Sequence, residues 1–438
     1  MTISSPTQKN LSLQSRIFLT ISLLTLVRIG TFIPVPYISK DIFISLFQTS
    51  KSSTNTFTQI LNSFSGATNS SFGLLSLGIL PYINASIIIQ LLTTIIPTLS
   101  NMQKEEGEYG RRKLTDYVRY LTFIWAIIES LVLSYSLKEF IFEWNIEICV
   151  VISISLITGS MIVLWFSELI TKYGLGNGSS LFICFNIVSS LPDQIKIFIL
   201  SLNTQINNFW NIFLLVLIFF ITTIGCIYVN EAIIKIPLVS ARQLLKKRTI
   251  NYKNLNLSNN IFPLRINQAG VMPLVFTSYA MVLYSSLVGV IKKQTNLVNL
   301  FDNFFILNKI TFDWIEKGIF WSFYAILIFF FTYFYSTIIL DPKDVAERFR
   351  KNSVVILGII PGNSTRSYIS KTLKRIAKIN AFFLIYNIIG LQIIESILKL
   401  NISNLRGLGF TSQLILVNVL IDTIKKIRSF LSEEENSF

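Results

Sequence analysis

The chain has 438 residues, of which 52% are hydrophobic and only 14% charged, and it carries a formal net charge of +15. Soluble domains carry about 25% charged residues, so this composition, with a mean hydropathy of +0.59, excludes an ordinary soluble protein and points to an integral membrane protein. The absence of histidine excludes HExxH metalloproteases, Ser-His-Asp hydrolases and histidine-ligated haem.

The N-terminus, MTISSPTQKNLSLQSR, places Lys9 and Arg16 before an apolar run that ends in FIPVPYI. A signal peptide opens similarly, but no small-residue cleavage site follows, so the run reads as a retained first span. About twenty apolar residues cross a bilayer. Ten such runs follow in order, at 17–36, 74–97, 117–137, 148–171, 179–199, 209–232, 268–290, 318–340, 378–398 and 409–429. The segment 60–73, ILNSFSGATNSSFG, is too short and polar to span, but can re-enter if protein buries it. Span two, LGILPYINASIIIQLL over 77–92, is unusual. Pro81 would interrupt a helix running over 74–97, and Asn84 and Gln90 would face hydrocarbon unsatisfied. This helix must therefore face something other than lipid.

Most of the 38 Lys and Arg residues fall in the N-terminus, alternate loops and the C-terminal tail, which puts both termini on the cytoplasmic, or stromal, side. Ten spans divide into an N-terminal half, 1–200 with spans one to five, and a C-terminal half, 201–438 with spans six to ten. Five spans per half give the halves opposite orientation, as in an inverted repeat. The letters show no self-similarity, so the repeat rests on topology. The C-terminal half carries two long basic loops, 233–267 and 341–377. They hold Arg242, Lys246, Lys247 and Arg248, and then Arg348, Arg350, Lys351 and Arg366. Such loops suit a membrane surface, or a large cytosolic or negatively charged partner such as ribosomal RNA.

Few carboxylates lie inside the spans. Glu168, Glu231 and Asp422 lie toward span ends, whereas Glu129 and Glu395 lie deeper. The remaining deep polar groups are amides and hydroxyls: Asn84, Ser86 and Gln90 in span two, Asn186, Ser189 and Ser190 in span five, Gln268, Thr277 and Ser278 in span seven. Each alone reads as glue between helices. Their concentration on three spans implies a shared interior that suits a bulky, chemically varied passenger better than a tuned ion site. Cys149, Cys184 and Cys226 stand singly in apolar runs and read as core residues. No GxxxxGK[ST] loop, catalytic cluster, metal set or cofactor motif is present, so the chain is not expected to be an enzyme. Abundant Ile, Asn, Lys and Phe hint at an AT-rich genome such as a plastid's or a mollicute's.

Several motifs, in order along nearly the whole chain, identify a family. They are RIGTFIPVP after span one, FSGATNSSFGLLSLGILPYINASIIIQLLTTIIPTL through span two, and EEGEYGRRKLTDYVRYLT into span three. ITKYGLGNGSSLFI joins spans four and five, RINQAGVMPLVFTS opens span seven, and DPKDVAERFRKN with IIPGNSTRSYI fills the last basic loop. The chain resembles the SecY family, channel subunits of the Sec protein translocase, and looks most like plastid-encoded members.

The resemblance implies an all-α membrane protein of ten transmembrane helices in two inverted five-helix halves around a central pore, with a short re-entrant plug. It implies a channel that passes unfolded preproteins and releases apolar segments sideways into lipid. By motif, the pore ring falls on Ile79, Ile83, Ile183, Val275 and Ile415, and the plug on 60–73 with Asn62, Phe64, Ser65 and Gly66. The lateral gate between spans two and seven falls on Ser86, Gln90, Thr277 and Ser278. The implied partners are SecE- and SecG-type small membrane subunits, preproteins, the lipid bilayer, and the SecA motor ATPase or a ribosome at the basic loops. The implied location is the plastid thylakoid membrane, with a bacterial inner membrane as the alternative. Two positions depart from the family. Ile360 stands where an arginine usually precedes the PG of the last loop, and Glu129 stands where an uncharged residue is expected. The competing function is a secondary transporter with an inverted repeat.

Overall fold

The computed structural model describes residues 12–37, 73–104, 107–136, 145–203, 209–240, 261–270, 272–278, 280–281, 309–397 and 410–436. The first helix, α1, is Leu13–Thr31. The chain then passes through a short bridge between Pro34 and Gly73, where the Leu74 amide donates to the Ile33 carbonyl at 2.8 Å. A Cβ at Gly73 would lie 1.8 Å from the Thr31 carbonyl oxygen, so only glycine permits this approach.

Span two differs from the unbroken helix expected over 74–97. Residues 74–79 form hydrogen-bonded turns, with Ser76 N–H on Gly73 O and Gly78 N–H on Leu75 O, both at 3.0 Å. The helix α2 begins only at Leu80 and runs to Ile95. Pro81 therefore occupies the first turn, where no intrahelical donor is lost, and its expected interruption does not occur. Pro97 holds Ile96 extended (ψ 113°) and ends α2. The chain continues as α3, Pro97–Lys104.

The helices α4 (Gly107–Ser136), α5 (Ile146–Tyr173), α6 (Gly178–Asn203) and α7 (Phe209–Glu231) follow. Helical residues 272–278 mark the beginning of span seven. Then come α8 (Lys309–Ile339), α10 (Asn363–Ile397) and α11 (Phe410–Asn436), with α9 (Pro342–Lys351) between α8 and α10. At ~1.5 Å per residue, the 35 residues of α10 exceed a ~30 Å hydrocarbon core, and the basic half of α10 extends beyond its apolar half. Among the described residues, four helices are both long and apolar enough to cross a membrane.

A three-stranded antiparallel sheet, ordered β2-β1-β3, was not foreseen in the basic loops. It comprises β1 (Ile233–Ser240), β2 (Ile261–Arg265) and β3 (Val354–Ile356). β1 pairs with β2 through Pro237 and with β3 from Leu238 onward, so the residue lacking an N–H sits where the strand changes partner. Ile236, Leu264 and Ile356 form a dry core with Val345 of α9 and Ile369, Leu373 and Ile376 of α10.

The chain forms two compact units. One runs through Thr204 and takes in the residues from Val419; the other spans Gln205–Ser403 and Gly409–Asn418. In the first, α2 packs on α4, α4 on α5 and α5 on α6; in the second, α8 packs on α10.

Candidate functional site

In the first unit, Ile79 caps the N-terminus of α2. Ile83 and Ile87 follow at intervals of one turn, and all three are buried, as is Ile183 on α6. In the second unit, Val275 and Ile415 are buried too, at 2% exposure each. The five aliphatics that motif alignment assigns to a ring thus all lie out of solvent, three in one unit and two in the other. The plug residues Asn62, Phe64, Ser65 and Gly66 lie outside the described residues, as do Arg242, Lys246, Lys247 and Arg248.

Asn84, next to Ile83, has a specific partner. Its side-chain amide donates to Glu129 Oε1 of α4 at 2.6 Å. The other Glu129 oxygen is buried without a partner among the described residues. The unexpected carboxyl therefore holds spans two and three together. The partners are 45 residues apart, and no local signal pairs them. Nearer the N-terminal end of α4 and the C-terminal end of α5, Arg119 of α4 grips Glu168 of α5 with two hydrogen bonds, at 2.7 and 2.5 Å, and reaches Asp116 at 2.9 Å. This pair is partly exposed, so it fixes geometry more than it adds stability.

The hydroxyls assigned to the gate bond within their own helices. Ser86 donates to Ile83 O at 2.9 Å, Thr277 to Pro273 O at 2.7 Å, and Ser278 to Leu274 O and Val275 O at 2.9 and 2.8 Å. Their protons are committed to carbonyls three or four residues back. Of the four residues, Gln90 retains an uncommitted amide among the described hydrogen bonds, and it is half-buried.

Sequence reading singled out Gln268 but missed a ladder beside it. Asn267 donates to Asn230 Oδ1 at 2.6 Å, and Asn380 donates to Asn267 Oδ1 at 3.1 Å. All three residues are buried. Gln413 likewise donates to Phe219 O at 3.0 Å and accepts from Thr222 at 3.1 Å. Each amide is visible in the sequence as a polar residue in or beside an apolar run; its partner is not.

The basic residues assigned to docking have a structural setting. Asp341 caps α9 by accepting from the Lys343 amide at 3.0 Å. Val345 and Ala346 are buried, and Phe349 meets Phe262 edge to face at 5.3 Å. That inner face leaves Arg348, Arg350 and Lys351 exposed in the last turn, with Arg366 exposed in the first turn of α10. Ile360, in place of the family's arginine, is 74% exposed. All three cysteines are unpaired. Among the described residues, no cluster of potential metal ligands occurs.

Long apolar helices, amides paired between helices, and a small sheet packed beside a helix with exposed basic side chains define a multi-span helical membrane protein. A family model of SecY matches residues 73–424, and the chain belongs to the SecY family. It is 75% identical over 430 residues, 98% of each chain, to the protein translocase subunit SecY of Vaucheria litorea. It is 40% identical to that of Guillardia theta, over 98% of each chain. With that of Synechocystis it shares 38% identity, over 96% of this chain and 92% of the relative. A solved protein-conducting channel shares the fold with a TM-score of 0.61 at 16% identity, over 96% of this chain and 93% of the other. Canine Sec61 from a ribosome–channel complex does so at 0.58 and 16%, with the same coverages. The fold class read from the sequence is thus that of SecY channels, and the transporter alternative gains no support.

Proposed function

We propose that this chain is the protein-conducting channel subunit of a Sec translocase, passing unfolded preproteins through a narrow aliphatic ring formed by Ile79, Ile83, Ile183, Val275 and Ile415. The observation that carries the reading is the match to translocase subunits along 98% of the chain. An apolar constriction excludes ions by dewetting, yet yields to a passing chain because its contacts are weak and non-directional. The segment 60–73, with Asn62, Phe64, Ser65 and Gly66, acts as the plug. Spans two and seven part to release apolar segments into lipid. The two halves, 1–200 and 201–438, are the moving bodies.

The basic loops dock the SecA motor or a ribosome through Arg242, Lys246, Lys247, Arg248, Arg348, Arg350, Lys351 and Arg366. SecE- and SecG-type subunits complete the complex in the thylakoid membrane, with both termini in the stroma. The chain itself supplies a path rather than catalysis; the energy comes from the motor, the ribosome or the membrane gradient. Ile83→Gly or Ile183→Gly is expected to raise the ion conductance of the resting complex severalfold in planar bilayers. Unchanged conductance in both variants would remove the ring from the account.

A further inference from the structure

At the root of span seven a doubly hydrogen-bonded asparagine precedes a glycine of positive φ. Asn267 is hydrogen-bonded on both sides, to Asn230 at the end of α7 and to Asn380 of α10. The backbone repeats the tie, since the Ile266 amide donates to the Ala232 carbonyl at 3.0 Å. Three residues beyond Asn267, Gly270 adopts φ +60°. Among the described residues a Cβ there would meet no heavy atom within 4 Å, so the positive φ is what calls for the glycine. Beyond it, contacts change character. Thr277 and Ser278 bond to their own helix, and Phe276 lies against Phe331 and Tyr335 of α8 at 5.3 and 4.7 Å between ring centres. Ring contacts tolerate sliding; an amide ladder does not.

Between anchor and joint, both amide atoms of Gln268 are buried without a partner among the described residues. An unpaired buried amide disfavours this arrangement relative to one that satisfies it. We infer that residues 266–270 form an anchored pivot, in which the Asn230–Asn267–Asn380 ladder holds the root still while span seven swings about Gly270. Asn267 and Gly270 are positioning residues for the gate, and the inference rests on the gate reading above.

The test is a pulsed electron–electron distance measurement on the complex in lipid nanodiscs. Cys149, Cys184 and Cys226 are first replaced by Ser or Ala, and spin labels are placed at Ala280→Cys in span seven and Lys378→Cys on α10. A synthetic peptide of about twenty apolar residues serves as the gate-opening probe. The unmodified root should gain a second distance population on peptide addition. Gly270→Val, which disfavours positive φ, should lose it, whereas Gly270→Asn, whose side chain tolerates that region, should keep it. Gly270→Ala replaces Gly270→Val if the latter does not assemble, and should show a diminished second population. Asn267→Ala should broaden the resting distribution at least twofold. A Gly270→Val shift equal to that of the unmodified root overturns the joint, and an unchanged width in Asn267→Ala overturns the anchor. No shift even with the unmodified root overturns the gate reading and the pivot together.

Discussion

Asn84 and Glu129 show how one buried polar residue constrains two spans. An amide in an apolar helix must find a partner, so the sequence shows that Asn84 needs one. It does not show which, because the acceptor lies 45 residues away and any of several spans could supply it. Glu129→Gln retains an acceptor of the same shape and should leave thermal stability in detergent within a few degrees of the parent. Glu129→Leu leaves the Asn84 donors unsatisfied, a loss of about 1–3 kcal/mol, and should lower the unfolding temperature clearly. Equal unfolding temperatures for the Gln and Leu variants would show that the bond contributes nothing. Ser86, Thr277 and Ser278 teach the complementary lesson. Their hydroxyls suggest bonds across a seam, but a hydroxyl in a helix finds the carbonyl of the preceding turn closer at hand.

At the scale of elements, the membrane helices were legible and the sheet was not. Twenty apolar residues between polar flanks leave the backbone no alternative to a helix in lipid. IIKIPLVS, by contrast, follows directly on the apolar sixth span and contains a proline, which argues against an inner strand. One partner strand lies further along the same loop and the other in the last basic loop, and pairing over such separations leaves no local signature. Helix boundaries shifted for a similar reason: Pro81 reads as a break until the helix is seen to start one residue before it. The sheet and α9 together hold Arg348, Arg350 and Lys351 outward. Reversing all three to Glu should weaken binding of the motor or the ribosome roughly tenfold at low salt, where surface charge is least screened, while membrane insertion stays normal. Parent-like binding at low salt would remove α9 from the docking face.

For the whole molecule, sequence patterning supplied the span number and the charge asymmetry, whereas the ring, plug and gate came from family resemblance. Any one buried isoleucine is indistinguishable from plain core, so no periodicity could have picked out Ile79, Ile83 and Ile183. The gate needs contacts specific enough to close yet weak enough to part. Interhelical hydrogen bonds in membranes average about 0.6 kcal/mol, and of the four residues assigned to the gate, Gln90 is the one whose side chain is uncommitted among the described hydrogen bonds. An oxidised cysteine pair placed across spans two and seven, in a chain lacking Cys149, Cys184 and Cys226, should block translocation, and reduction should restore it. Full oxidation with parent-like translocation would show that these spans are not the gate.

The central claim, that a polypeptide passes through this chain, is tested most directly by photocrosslinking. A preprotein stalled by a folded C-terminal domain is engaged by the complex carrying a photoreactive residue at Ile83, Ile183 or Val275. The comparison positions are Phe18 and Tyr386, which are 76% and 77% exposed. The account predicts strong crosslinks from the three aliphatic positions and little from the other two. Equal labelling at all five, or labelling confined to Phe18 and Tyr386, would contradict it.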